Sequence, residues 1–178
     1  MPSVFRYITP DGFDNLLLRS DGKALTGLWF EYSRDEDKHR RDRVEMWHEA
    51  SLPPVLEETC RWLDLYFSGH QPDFIPKYRI ENLTPFRKEV LELMCQIPFG
   101  TTVTYGEIAA AIAKKRSIEK MSAQAVGGAV GWNPIGIIVP CHRVVGANGS
   151  LTGYGGGLHN KIALLRLEGN DPCLASKQ

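Results

Sequence analysis

Apolar and polar positions change period along the chain. Residues 4–8, 15–19 and 24–32 are short and rich in β-branched or alternating apolar side chains, divided by Pro10-Asp11-Gly12 and Ser20-Asp21-Gly22-Lys23. Period two between turn residues predicts three strands. Residues 33–43 are a charge run without apolar periodicity and read as a solvated loop. Over residues 54–67 the period becomes helical, with Val55, Leu56, Cys60, Leu63 and Phe67 on one face and a stop at Ser68-Gly69. Residues 71–82, proline-containing and of mixed polarity, read as a linker.

The rest of the chain reads as helices. Thr84-Pro85 offers an N-cap followed by proline at the first helical position, opening a helix to about Cys95. After the break at Pro98-Phe99-Gly100, residues 105–113 and 122–130 read as two helices around a polar connector, residues 114–120, and as a candidate helix-turn-helix. Ala123, Ala125, Gly127, Gly128 and Ala129 leave the second of these with little side-chain bulk, although each glycine costs about 1 kcal/mol against alanine. Such a surface suits tight helix packing or close approach to a nucleic acid. Residues 161–168 form a last helix ended by Gly169. Strands and then helices imply an α+β fold: a small sheet-plus-helix domain over residues 1–75, and a mostly helical, winged-helix-like domain over residues 76–178.

Length and composition allow one domain or two small ones. With 178 residues, 43% apolar and 24% charged, the chain is that of an ordinary globular protein. No basic and apolar leader opens it and no run reaches membrane-spanning length, so a cytoplasmic address without membrane contact is expected. Net charge is zero, but residues 1–75 carry 9 Lys and Arg against 14 Asp and Glu, and residues 76–178 carry 12 against 7. A basic second part suits an anionic polymer. Cys60, Cys95, Cys141 and Cys173 are scattered, which suggests neither a zinc site nor a disulfide framework; no metal or cofactor is expected. Cys60 and Cys95 read as small core residues and Cys173 as incidental.

Only Cys141 has a chemical setting. Pro140-Cys141-His142-Arg143-Val144 follows the apolar run Ile137-Ile138-Val139, read as extended, and precedes Gly153-Tyr154-Gly155-Gly156-Gly157. A polarisable nucleophile thus stands at the rim of a core, with a proton acceptor beside it and glycines that let backbone approach whatever the sulfur attacks. Neighbours in an extended chain point to opposite faces, so relay through a water is favoured over direct Cys–His contact. On these residues alone, a cysteine hydrolase or redox enzyme and a helix-turn-helix regulator remain open.

Four stretches in order narrow the choice: Thr84-Pro85-Phe86, then Pro98-Phe99-Gly100-Thr101-Thr102-Val103-Thr104-Tyr105-Gly106, then Ala125-Val126-Gly127-Gly128-Ala129, then Asn133-Pro134 through Glu168-Gly169. In these the sequence resembles the O6-alkylguanine-DNA alkyltransferases, or methylated-DNA–protein-cysteine methyltransferases, from about residue 74 to 169 and more loosely before. The resemblance implies a DNA-repair protein in which Cys141 itself takes the alkyl group from O6 of guanine, or from O4 of thymine, once and irreversibly, after the damaged base is flipped. It implies double-stranded DNA as partner, no cofactor, and a monomer. Non-catalytic relatives replace the cysteine, which is intact here.

By family position His142 and Glu168 relay the thiol proton, Tyr105 serves the guanine ring, and Asn133 braces the backbone. Val130, Val144, Tyr154 and Gly155 line the pocket, with the Gly155 N–H on O6. Without the resemblance, Glu168 reads as a surface residue at a helix end and Tyr105 as a half-buried helix-start tyrosine. Ala123, Gln124 and Gly127 are implied to face DNA. Gln124 stands where many relatives carry an arginine that fills the vacated stack, and it brings neither cation nor stacking plane. The connector is longer than in shorter relatives, and its four basic residues are expected near phosphates.

Overall fold

Alternation in the first thirty residues produces an antiparallel meander of β1 (Ser3–Tyr7), β2 (Leu16–Ser20) and β3 (Leu25–Phe30). The structure is a computed structural model and describes residues 3–39 and 51–172. Leu16, Leu18, Leu28 and Phe30 face the main core, while Val4, Leu17 and Trp29 form a small cluster on the opposite face. Both turns use a positive-φ glycine, Gly12 and Gly22.

The charge run corrects the expectation of a loop. Residues 34–39 form a short helix, α1 (Arg34–His39); residues 40–43 of the run, like Cys173, lie outside the described residues. Its start is well capped. Ser33 Oγ accepts from the Glu36 N–H at 3.2 Å, and Glu36 Oε2 accepts from the Tyr32 N–H at 2.6 Å. Three acidic residues then occupy the first turn, where the helix dipole favours them.

The next helix, α2 (Pro54–Phe67), has the predicted bounds and buries Thr59, Trp62, Leu63, Tyr66 and Phe67. The segment after it is largely irregular and is held to the sheet by backbone bonds between Leu25 and Lys77 and between Arg79 and Leu25, both 2.9 Å. Thr84 caps α3 (Pro85–Cys95) as read from the sequence, its Oγ1 accepting from the Arg87 N–H. Cys95 is exposed, contrary to the core role read for it: the buried stripe is Val90, Leu91 and Met94, and the thiol lies 3.9 Å from the Tyr78 hydroxyl. Cys60 is half-buried against the core.

The strand β4 (Val103–Thr104) leads into α4 (Tyr105–Arg116) through a capping box of Thr104 and Glu107. This helix runs three residues further than predicted, so Lys114, Lys115 and Arg116 belong to it and the connector shrinks to residues 117–122. Two of the four basic residues are engaged within the chain, Arg116 and Lys115 both on Glu89. Next, α5 (Ala123–Val130), capped by Ser122, packs on α3 and α4. β5 (Val144–Val145) pairs parallel with β4, and α6 (Leu158–Leu167) begins a turn earlier than expected.

One hydrophobic cluster contains residues of β2, β3, α2, α3, α4, α5 and α6. Backbone bonds cross between its halves: the Leu28 N–H donates to Pro134 and the Gly136 N–H donates to Leu28, each at 2.9 Å. The fold is α+β. Among the described residues no helix is long and apolar enough to cross a membrane, and no group of three or more metal-ligating side chains occurs.

Candidate active site

The approach to Cys141 is a tight loop built around Asn133. Its side-chain amide donates to the Val139 carbonyl at 2.9 Å and to Ile135 at 3.3 Å, while its Oδ1 accepts from the Ile135 N–H at 3.0 Å. Within that loop Ile137 has φ +64°, the left-handed region. A β-branched side chain enters this region at a cost of about 1–3 kcal/mol. The run 137–139 is therefore a turn and not the extended segment expected, and Asn133 supplies the bonds that hold it. The chain then enters a 3₁₀ turn, Cys141–Arg143, that feeds β5.

On that turn Cys141 and His142 diverge. The thiol points to the Tyr154 hydroxyl at 3.9 Å, and His142 Nε2 lies 2.7 Å from Glu168 Oε1. With Nε2–H donating to a carboxylate, Nδ1 is left as the acceptor, and this nitrogen is buried without a hydrogen-bond partner. Glu168, just past α6, is buried and accepts from several groups. Arg143 Nε donates to Oε2 at 2.9 Å, Arg143 Nη2 to Oε1 at 3.0 Å, the Gly100 N–H to Oε2 at 3.2 Å and the Tyr66 hydroxyl to Oε1 at 2.7 Å. Arg143 also donates to the Ile97 carbonyl at 2.7 Å.

Electrostatics follow from these contacts. Burial pushes the Glu168 carboxyl up, but the His142 and Arg143 hydrogen bonds and charges outweigh it and bring it down to about 2. Burial holds His142 below its ordinary value against the pull of Glu168. Burial likewise pushes the Cys141 thiol up; bonds from Asn133 and Tyr154 and the charge of Lys161 oppose this, and Asp35 reinforces it. At neutral pH both directions favour a protonated thiol and a neutral imidazole.

Of the residues expected to line a pocket, Val130, Val144 and Tyr154 are buried and Gly155 is half-buried. Tyr105 is half-buried too; burial raises its hydroxyl, which hydrogen-bonds Thr152, and it feels the Cys141 thiol. Gly127 turns its bare face to the Tyr105 ring, where a Cβ would sit 3.8 Å from the ring edge. Ala123 and Gln124 are exposed on the first turn of α5.

Sequence reasoning missed four residues here. Lys161, fully buried, donates from Nζ to the Val144 carbonyl at 2.7 Å and lies 5.7 Å from the Tyr154 ring centre. Arg143 and Tyr66 hold Glu168, as described above. The Asp35 carboxylate occupies the place that a side chain at Gly155 would take, and the Asp35 N–H donates to the Gly155 carbonyl at 3.3 Å. The signal for Asp35 was present in Ser33-Arg34-Asp35-Glu36, a capping-box pattern that starts a helix.

Residues 85–170 match the family described as 6-O-methylguanine DNA methyltransferase, DNA binding domain. The methylated-DNA–protein-cysteine methyltransferase of Methanosarcina mazei is 43% identical over 88% of this chain and 91% of its own length. That of Methanosarcina barkeri is 48% identical over the same shares, 88% and 91%. The chain belongs to this family. Among solved structures it is similar to Mycobacterium tuberculosis OGT in complex with DNA, with a TM-score of 0.75 and 34% identity over 97% of this chain and 98% of that one. The segment matched to the methyltransferase DNA-binding domain contains Tyr105, Asn133, Cys141, His142 and Glu168; it contains neither α1 nor Tyr66.

Proposed function

We propose that the protein repairs DNA by taking an alkyl group from O6 of guanine, or O4 of thymine, onto Cys141. The observation that carries this reading is a buried thiol next in sequence to a buried His142 whose free nitrogen is Nδ1 and whose other nitrogen is fixed by Glu168. The thiol proton passes through a water to Nδ1. The thiolate then attacks the alkyl carbon in line, an S–C bond forms, and the C–O6 bond breaks. The departing guanine carries the electron pair and takes a proton from the Tyr105 hydroxyl, while the Gly155 N–H bonds O6. Glu168 stabilises the imidazolium. The thioether is stable, so each chain acts once and needs no cofactor.

On this reading Asn133 braces the loop, and Val130, Val144 and Tyr154 line the alkyl and base pocket. Chemistry on a stacked base requires its extrusion, at a cost of about a few kcal/mol. We assign α4 and α5 to a helix-turn-helix in which Ala123, Gln124 and Gly127 approach double-stranded DNA. Residues 76–178 would carry the acceptor and DNA surface, and residues 1–75 would support them, in a cytoplasmic monomer.

The test is intact-mass spectrometry after incubation with an oligonucleotide containing O6-methylguanine. One added methyl per chain, on Cys141 and without turnover, is expected. Cys141→Ser should bind DNA and transfer nothing. Multiple turnovers would overturn the assignment in favour of a cysteine hydrolase, and a methyl on Cys60, Cys95 or Cys173 would overturn Cys141 as the acceptor.

A further inference from the structure

Tyr66 stands in the last turn of α2 and is 0% exposed. Its ring is stacked on Trp62, with centres 5.3 Å apart at 8°, and meets the Phe99 and His142 rings edge-on at 6.0 and 6.4 Å. So packed, it cannot swing its hydroxyl elsewhere. That hydroxyl lies 2.7 Å from Glu168 Oε1 and 3.3 Å from His142 Nε2. A phenol has one proton, and beside an anionic carboxylate it donates there. Packing alone would be satisfied by phenylalanine.

The same oxygen, Oε1, also receives the Nε2–H of His142. Tyr66 and His142 therefore compete for one acceptor. Each donor to a carboxylate stabilises its charged form and weakens its pull on the others. Resting on the function proposed above, we infer that Tyr66 is a positioning residue of the proton relay, whose hydrogen bond to Glu168 orients the carboxylate and limits its hold on His142, so that the imidazole stays neutral and ready to accept the thiol proton. It reaches the relay from outside the segment matched to the DNA-binding domain.

Groups other than Tyr66 also face the relay. His142 faces Glu168 and Lys161 from the α6 side and Arg143 from its own turn. Cys141 faces Asp35 of α1, Lys161 and Tyr154. Burial and both cations already favour neutral His142, and only Glu168 opposes them.

The test uses the full chain with Tyr66→Phe and with 3,5-difluorotyrosine at position 66, a stronger donor of nearly the same size. Single-turnover methyl transfer from an O6-methylguanine duplex is followed from about pH 5.5 to 9, and His142 is titrated by NMR. In Tyr66→Phe the His142 titration should move to higher pH. The deprotonated imidazole is the base, so the rate should fall about tenfold near pH 6 and less than about twofold near pH 9. Difluorotyrosine should move the titration the other way. A loss equal at all pH values, or a His142 titration unmoved in both proteins, would overturn the inference. Should Tyr66→Phe fail to fold, the fluorinated protein decides alone. Wild-type protein that accepts no methyl would overturn the function proposed above, whereas wild-type transfer with an unmoved titration would overturn the role of Tyr66 only.

Discussion

His142 Nε2 meets Glu168 Oε1 at 2.7 Å, and that contact determines which imidazole nitrogen is left to accept a proton. A base with its tautomer fixed in advance contributes about 10²-fold or more to a proton-transfer step. His142→Ala should slow alkylation of Cys141 by that order at neutral pH. Raising the pH toward about 9 should restore part of the rate, because solvent then removes the thiol proton. Equal deficits at pH 6.5 and pH 9 would mean that His142 does not carry the proton.

Removing the charge of Glu168 should damage the fold as well as the chemistry. Arg143 is buried, and Glu168 is the carboxylate paired with it. Glu168→Gln should cost about 3–5 kcal/mol, as for breaking one half of a buried pair. Urea unfolding of the two proteins measures this; a difference under about 1 kcal/mol would mean that Arg143 finds water or another partner.

Acid should unfold the protein through the same groups. The Glu168 carboxyl sits at about 2 in the fold against an ordinary 4.5, so its contribution is complete above 4.5 and is lost as pH falls toward 2. His142 is held below 6.5, so beneath that pH the unfolded chain binds a proton that the native one resists. Both effects make stability rise with pH. Melting temperature should decline from pH 7 to pH 4, and His142→Gln should flatten the upper part of that decline, as differential scanning calorimetry can record.

Asp35 reinforces the burial that keeps the Cys141 thiol protonated. Asp35→Asn retains the side chain's shape beside Gly155 and removes the charge. The thiol should then titrate lower, and its alkylation by iodoacetamide at pH 7 should quicken about threefold. An unchanged rate would mean that the field of Asp35 does not reach the sulfur.

Gln124 lies exposed on the first turn of α5. Gln124→Arg should tighten binding to duplex DNA and steepen its salt dependence by about one phosphate equivalent. Reaction with the free base O6-benzylguanine should hardly change, since nothing needs extruding. Equal changes in the two reactions would place Gln124 at the pocket instead, and an unchanged salt slope would mean that it does not reach DNA.

Legibility in the sequence depended on how local each cause was. Thr84-Pro85 gave the start of α3 because a cap and a preset φ act within one turn. The bounds of α2 followed from proline at its start and glycine beyond its end. Ile137 could not be read as left-handed, since its conformation is imposed by Asn133 bonds to Ile135 and Val139. Cys141 and His142 stood out in their own string, and Glu168 was found by resemblance. Tyr66 and Lys161 were not, because an aromatic residue in an apolar stripe and a lysine in a helix look ordinary until the fold brings them to Glu168 and Val144.

The Leu28 backbone exchanges hydrogen bonds with both Pro134 and Gly136, on the loop that Asn133 braces. Sheet and acceptor loop are therefore expected to open together. The amides of Leu28 and Gly136 should exchange with deuterium at the same rate under native conditions, and calorimetry should record a single transition. A substitution anywhere in the meander that loosens β3 would then silence Cys141 without touching it, so inherited loss of repair need not map to the residues that perform it.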